Sequence, residues 1–157
     1  MDSRVPPDLP TPDEADALDR VRGGSLLGAL HALVDRVGYV SKGGLAEISR
    51  RMDRPAAEVY GVASFYSMFE TRPCGRVHVS VCTNISCMLR GADEIVAHVE
   101  KKLGIKTGES TPDGKFFLKR EEECLAACNN APMMMVDHVY HEHLTPEKVD
   151  QVLDAVQ

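Results

Sequence analysis

The positions of the cysteines constrain this 157-residue chain more than any other feature of its sequence. Four of the five form two pairs, Cys82 with Cys87 and Cys124 with Cys128, while Cys74 stands alone. Each pair follows a segment with the pattern of a β-strand, so neighbouring strands would bring both pairs to one end of a sheet. Four thiols that meet in a reducing compartment indicate a soft-metal site, either zinc or an iron–sulfur cluster.

Composition and charge exclude several functional classes. With 24 acidic and 18 basic residues the chain has a formal net charge of −6, which argues against binding to nucleic acid. No apolar run approaches the roughly 20 residues that cross a bilayer. The N-terminus lacks the basic start and apolar core of a signal peptide. These features predict a cytoplasmic protein with reduced thiols.

Three segments are predicted along the chain: a flexible leader over residues 1–20, a helical segment over 21–75 and an α/β domain over 76–157. Four of the nine prolines fall within the first twelve residues and acidic residues follow, so the leader has little to bury. The last segment shows the order β-α-β-β-β-α, which predicts a small sheet with helices packed on it. Its first strand is expected to be half-buried, because valines alternate with polar residues there.

The helical segment has clear start and stop signals. Apolar spacing predicts a helix from Leu26 to Val37 that ends at Gly38, and a second helix over residues 44–52. Asp53 is the expected N-cap of a third helix. Four aromatic side chains lie within the next stretch, and they fit an internal core slightly better than a surface that faces a partner. They are Tyr60, Phe65, Tyr66 and Phe69.

The spacing of the cysteine pairs favours an iron–sulfur cluster over zinc. Intervals of four and three residues suit the two irons of a [2Fe–2S] cluster, whereas structural zinc sites commonly use tighter Cys-x-x-Cys knuckles. A thioredoxin-type redox pair is disfavoured for the same reason. On spacing alone, a zinc-stabilised interaction module and unligated thiols stay open as alternatives. Cys74 is expected to be a small hydrophobic residue.

Other patterns predict no catalytic site. His138, His141 and His143 lack the helical spacing of a zinc hydrolase and are expected at a solvated strand edge. The methionines at 133–135 are expected to fill the core beside the cysteines. No glycine fingerprint for a dinucleotide follows a strand, so the chain itself is not expected to hold NAD.

Two stretches around the cysteines resemble the ligand loops of the thioredoxin-like [2Fe–2S] ferredoxin family, Val81–Ala92 and Glu123–Pro132. The likeness extends through Val59–Phe69, Leu103–Gly114 and Leu144–Val149, so it covers nearly everything after the leader. Within the family, the chain is most similar to the small [2Fe–2S] subunits of respiratory NADH:quinone oxidoreductase, complex I, which partner the flavin subunit.

The resemblance implies a thioredoxin-like α/β domain preceded by a helical segment, and one [2Fe–2S] cluster ligated by Cys82, Cys87, Cys124 and Cys128. It implies an electron-transfer subunit whose flavin- and NADH-binding partner holds FMN and performs the hydride chemistry. The implied location is cytoplasmic, in the peripheral arm of a membrane-associated complex, with contact to the membrane only through that complex. The alternative is an equivalent subunit of an NAD-linked hydrogenase or formate dehydrogenase.

Two residues of the second ligand loop carry further expectations. Ala126 stands where the family usually has glycine, and a positive φ there would cost alanine about 1 kcal/mol. This departure affects the tuning of the cluster rather than its presence. Glu121, Glu122 and Glu123 precede Cys124, and a negative charge near the cluster disfavours its reduction. We therefore predict that Glu123→Gln raises the midpoint potential by on the order of tens of millivolts.

Overall fold

The structure, a computed structural model, describes residues 9–21, 24–119 and 124–156. The chain divides into two compact units, Met1–Cys74 and Gly75–Gln157. Within its described residues the first unit contains α1 (Pro12–Asp19), α2 (Leu26–Val37), α3 (Lys42–Met52) and α4 (Ala56–Phe65). Those of the second contain β1 (Val77–Val81), α5 (Ile85–Met88), α6 (Ala92–Leu103), β2 (Phe116–Lys119), a 3₁₀ turn (Cys128–Asn130), β3 (Met134–Val136), β4 (Val139–His141) and α7 (Pro146–Ala155).

Helix α2 is the central element of the first unit and matches its prediction. The Ser25 hydroxyl accepts a hydrogen bond from the Gly28 N–H at 3.2 Å, and Gly38 ends the helix in the left-handed conformation with φ 85°. Leu30 and Leu33 are fully buried in a core that also includes Ile48 of α3. The apolar stripe that indicates the helix in the sequence is therefore the face that packs.

The flexible leader predicted for residues 1–20 is wrong over residues 12–19, which form helix α1. Thr11 caps this helix, and the Glu14 carboxylate accepts a hydrogen bond from the Thr11 N–H at 2.7 Å. Leu18 is buried in the core of the first unit. Proline and acidic residues suggested a solvated segment, but proline suits the first turn of a helix, and this capping box satisfies the free N–H groups.

The expected role of Asp53 is also wrong. Asp53 ends α3 in the left-handed conformation with φ 50°, and its N–H donates to the Ser49 carbonyl. Helix α4 begins only after Pro55. Helix α3 starts at Lys42, two residues before the predicted range, because the Ser41 hydroxyl accepts from the Gly44 N–H at 3.0 Å. Aspartate tolerates this end-of-helix conformation better than most residues, so its position alone does not distinguish a start from a stop.

The aromatic side chains around α4 do not form the internal core that the sequence slightly favours. Phe69 is 5% exposed and packs edge-to-face against His31, with 5.0 Å between the ring centroids. Tyr60, Phe65 and Tyr66 are exposed. The helix buries only Val59 and Ala63, which lie one turn apart, so the aromatic side chains on its other faces stay largely outside the core of the first unit.

The second unit is built on a sheet with the strand order β2-β1-β3-β4 in its described part. Strand β1 pairs parallel with β2 and antiparallel with β3, and β3 pairs antiparallel with β4. This mixed sheet confirms the predicted α/β class. Strand β1 is buried along its whole length, including His78 and Ser80, so the expectation of a half-buried strand is wrong.

Helices α6 and α7 pack on the sheet and complete the core of the second unit. Val99 of α6 and Val149 of α7 are fully buried with Val79 of β1. His98 Nε2 lies 2.8 Å from an Asp150 carboxylate oxygen, which links the exposed sides of the two helices. None of the helices in the described ranges has the length and apolar character that a bilayer-crossing segment requires.

Candidate metal centre

The sheet brings the two cysteine loops to the same end of the second unit. Cys82 directly follows β1, and its N–H donates to the Met133 carbonyl at 3.1 Å. The second pair comes after β2, the parallel neighbour of β1. Parallel strands end at the same edge of a sheet, so the loops that follow them lie next to each other.

A short helix inside the first loop turns Cys87 inward. Asn84 begins α5, and its side-chain oxygen accepts a hydrogen bond from the Ile85 N–H at 3.0 Å. Cys87 is 1% exposed as a result, as is Cys82 at the end of β1. Our sequence interpretation missed this helix, although asparagine before Ile-Ser-Cys is a recognisable N-cap signal.

The second loop is tighter and more open to solvent. Cys124 and Cys128 are exposed, and their sulfur atoms lie 3.6 Å apart. Between them Ala126 adopts the left-handed conformation, with φ 61°. This conformation directs the Ala126 N–H to the Cys124 sulfur, with 3.3 Å between nitrogen and sulfur. The loop thus turns back on its first cysteine.

Small apolar side chains join the two loops into one site. A buried cluster contains residues from both loops, the first residue of α6 and the residue that precedes β3, with Leu125 and Ala127 packed against it. Its members are Cys82, Cys87, Ala92, Ala131 and Met133. Because Leu125 and Ala127 alternate with the exposed cysteines, packing the second loop in this way fixes where its thiols lie.

The electrostatics of the thiols show that they influence one another across the loops. Burial raises the pKa of Cys87 to about 11, with smaller contributions from the thiol of Cys82 and from Cys128. The pKa of Cys124 is lowered, chiefly by the Ala126 N–H and then by the thiols of Cys128 and Cys82. The thiols of the two loops are therefore close enough to influence one another.

The residues present fit a [2Fe–2S] cluster. The two loops lie against one buried cluster, and the sulfur atoms of Cys124 and Cys128 are 3.6 Å apart. Four thiolate sulfurs without an oxygen or nitrogen donor are the usual ligand set of a [2Fe–2S] cluster, in which each iron takes two of them. Met133 fills the space beside the buried pair, as expected.

The remaining sequence candidates lie elsewhere or have structural roles. Cys74 belongs to the first unit, where its half-buried thiol donates to the Gly38 carbonyl at 3.3 Å. His138, His141 and His143 lie at or beside the edge strand β4, exposed or half-buried, as expected. Glu121, Glu122 and Glu123 lie outside the described residues, so the prediction for Glu123 stays a prediction.

Comparison with known proteins assigns the fold and the family. Residues 17–157 match the sequence profile of a family described as thioredoxin-like [2Fe-2S] ferredoxin. The chain belongs to this family. The assignment confirms the predicted fold class, and it confirms one [2Fe–2S] cluster, rather than zinc, as the cofactor.

Several relatives of this ferredoxin are similar over most of their length. It is 41% identical to a subunit of NADH-quinone oxidoreductase from Rickettsia bellii over 120 residues, 76% of this chain and 71% of that protein. It is 38% identical to a subunit of NADH-quinone oxidoreductase from Rhizobium meliloti over 134 residues, 85% of this chain and 79% of that protein.

A solved structure of an NAD⁺-reducing [NiFe]-hydrogenase also shares the ferredoxin's fold. In its air-oxidised state it superimposes with a TM-score of 0.71 at 24% identity, over 82% of this chain and 22% of that chain. At this level of identity the likeness shows the fold alone.

Proposed function

We propose that this chain is the electron-transfer subunit of an NADH:quinone oxidoreductase and that it carries one [2Fe–2S] cluster beside the flavin subunit. The observation that carries the proposal is the convergence of two cysteine pairs at one end of the sheet. Relatives that are 38–42% identical over about three quarters of this chain or more are named as a subunit of that enzyme. Their names support a place among the other subunits of such a complex.

The proposed ligands are Cys82, Cys87, Cys124 and Cys128. When bound, the cluster accepts and releases one electron at a time. Cys82 and Cys87 hold their sulfurs in a buried apolar pocket, whereas Cys124 and Cys128 lie on the solvent side. The Ala126 N–H stabilises negative charge on the Cys124 sulfur, and hydrogen bonds of this kind raise the potential of a cluster.

In the proposed arrangement, the partner subunit performs the hydride transfer and this chain transfers only electrons. Hydride transfer from NADH takes place at the FMN of the flavin subunit, and this chain receives single electrons from it. In that arrangement the chain lies in the peripheral arm of a membrane-associated complex, on its cytoplasmic side, and contacts the membrane only through other subunits.

The ligand assignment is tested by replacing each cysteine with serine. We expect loss of iron and of the visible absorbance in the Cys82, Cys87, Cys124 and Cys128 variants. Cys74→Ser is the matched control and should retain both, because its thiol belongs to the first unit and donates to the Gly38 carbonyl there. Equal iron content in Cys124→Ser and Cys74→Ser would overturn the assignment. A colourless wild-type protein that contains zinc would overturn the redox function itself.

The hydrogenase alternative has weaker support. The likeness to the NAD⁺-reducing hydrogenase is at 24% identity, while the oxidoreductase relatives are 38–42% identical to this chain. The neighbouring genes provide a direct test. Genes for quinone-reducing membrane subunits would support the proposal, and genes for a [NiFe] catalytic subunit would contradict it.

A further inference from the structure

Three large apolar side chains around the buried ligand Cys87 are exposed to solvent. Ile85 is 67% exposed, Met88 47% and Leu89 78%. The first two belong to α5 and the third ends it. Helix α5 buries only Cys87, so its apolar residues make no contribution to the core of the second unit. We call these three residues the α5 rim.

The segments that carry the cysteines are also free of charged side chains. Residues 82–89 and 124–135 contain no Asp, Glu, Lys or Arg, although these residues make up 27% of the chain. The central part of a protein–protein interface has this character, with few charges and an excess of apolar and methionine side chains. The desolvation of an uncharged surface requires little free energy. Such a surface also does not repel a partner, although the chain as a whole carries a net charge of −6.

The chemistry of the neighbouring site indicates what covers this surface. Electrons pass between proteins by tunnelling, whose rate falls steeply with distance, so a redox partner must approach the side of the site that faces solvent. Cys124 and Cys128 are exposed on that side, and Cys87, which α5 holds, lies in the buried cluster against which Leu125 and Ala127 of the second loop pack. The α5 rim therefore lies beside the route by which electrons enter the site.

We propose that Ile85, Met88 and Leu89 form the docking surface for the flavin subunit, against an apolar and uncharged patch of that partner. This inference rests on the function proposed above and adds which face of the chain the flavoprotein covers. Docking on the rim also removes water from the exposed thiols, which lowers the local dielectric around the cysteine site.

The experiment is a binding titration between the cluster-loaded chain and the flavin- and NADH-binding subunit of the proposed complex. We expect Leu89→Glu to weaken the complex by about tenfold or more, because a carboxylate would be buried without a partner at the centre of the interface. Iron content and visible absorbance of the free variant should equal those of the wild type, because Leu89 lies outside the buried cluster around the ligands.

Val139→Glu is the matched control. Val139 is 59% exposed and pairs with Val136 at the turn end of the β3–β4 hairpin, away from the end where Met134 adjoins the cysteine loop. This variant adds the same charge at an exposed apolar position and should bind the flavoprotein as the wild type does. Equal weakening by Val139→Glu would show that the added charge acts from any position, and would overturn the assignment of the rim.

The outcomes separate this inference from the function on which it rests. If the wild type binds the flavoprotein and Leu89→Glu binds it with the same affinity, the docking surface alone is overturned. A wild-type chain that is loaded with its cluster but does not bind the flavoprotein would overturn the proposed function as well. If Leu89→Glu abolished self-association of the chain but not flavoprotein binding, the occupant would be a second copy, and the inference would be wrong.

Discussion

At the scale of single residues, Ala126 shows how the metal centre constrains the backbone. Its φ of 61° puts a residue with a Cβ in the left-handed region, where the steric cost is about 1–2 kcal/mol. The conformation is retained because Leu125 and Ala127 pack against the buried cluster on either side. The N–H that points at the Cys124 sulfur depends on this turn.

We predict that Ala126→Gly raises the thermal unfolding midpoint of the cluster-loaded protein and leaves its iron content unchanged. Relief of the steric cost exceeds the roughly 0.5–1 kcal/mol that glycine loses in chain entropy. The control is Ala127→Gly, because Ala127 has a φ of −116° that costs alanine nothing. That variant should melt below the wild type at the same scan rate. A lower midpoint for Ala126→Gly would contradict the prediction.

At the scale of elements, two phenylalanines around α4 show that side chains of equal hydrophobicity can differ in burial. Phe69 is 5% exposed and Phe65 is 77% exposed, although the two are identical side chains four positions apart. We predict that Phe69→Ala lowers the free energy of unfolding by about 3–5 kcal/mol, because it leaves a cavity beside His31. Phe65→Ala should change it by less than about 0.5 kcal/mol. Urea unfolding of the two variants measures both values, and similar losses would show that α4 packs differently.

The C-terminal end of α6 provides a second test at this scale, through pH. The Glu100 carboxylate accepts hydrogen bonds from Lys106 Nζ at 2.7 Å and from the Thr107 N–H and hydroxyl at 3.0 Å each. Chiefly because of the Lys106 contact, the pKa of Glu100 falls from its ordinary value of 4.5 to about 2. The carboxylate therefore stabilises the folded state at every pH above 4.5, and this contribution is lost as the pH falls towards 2.

We predict that Glu100→Gln is less stable than the wild type at pH 7 and that the difference shrinks at pH 3. The comparison should use urea unfolding of the two cluster-free proteins, so that acid release of iron affects neither of them. A difference of the same size at both pH values would show that the carboxylate contributes through its shape rather than its charge.

At the scale of the whole molecule, the proposed function requires a second protein for NADH oxidation. NADH gives up a hydride, which carries two electrons, whereas a [2Fe–2S] cluster takes one. We predict that the isolated, cluster-loaded chain does not consume NADH in the presence of an artificial electron acceptor. Adding the flavin subunit should start the reaction, followed by the loss of NADH absorbance. NADH oxidation by the chain alone, with flavin shown to be absent, would contradict this division of labour.

Much of the fold follows from local patterns in the sequence. The spacing of apolar residues and the glycine stops at Gly38 and Gly104 define α2 and α6, and Thr145 with Pro146 defines the start of α7. These signals act within a few residues of the chain, so they have the same meaning whatever packs around them. The spacing of the cysteines and their positions after two strands likewise predict that the two pairs lie close together. Strands β1 and β2 pair in parallel, and the helix between them supplies the crossover connection that parallel pairing requires.

Other features depend on contacts between distant parts of the chain, and only the tertiary structure decides them. Helix α1 is ordered because Leu18 finds a core built by later helices, and His78 is buried because β1 lies inside the sheet. The sequence contains the same phenylalanine at 65 and 69, and packing alone exposes one of them and buries the other. The left-handed turn at Ala126 has the same origin. Alanine has no local preference for the left-handed conformation. Ala126 adopts it because packing around the cysteines constrains its neighbours Leu125 and Ala127.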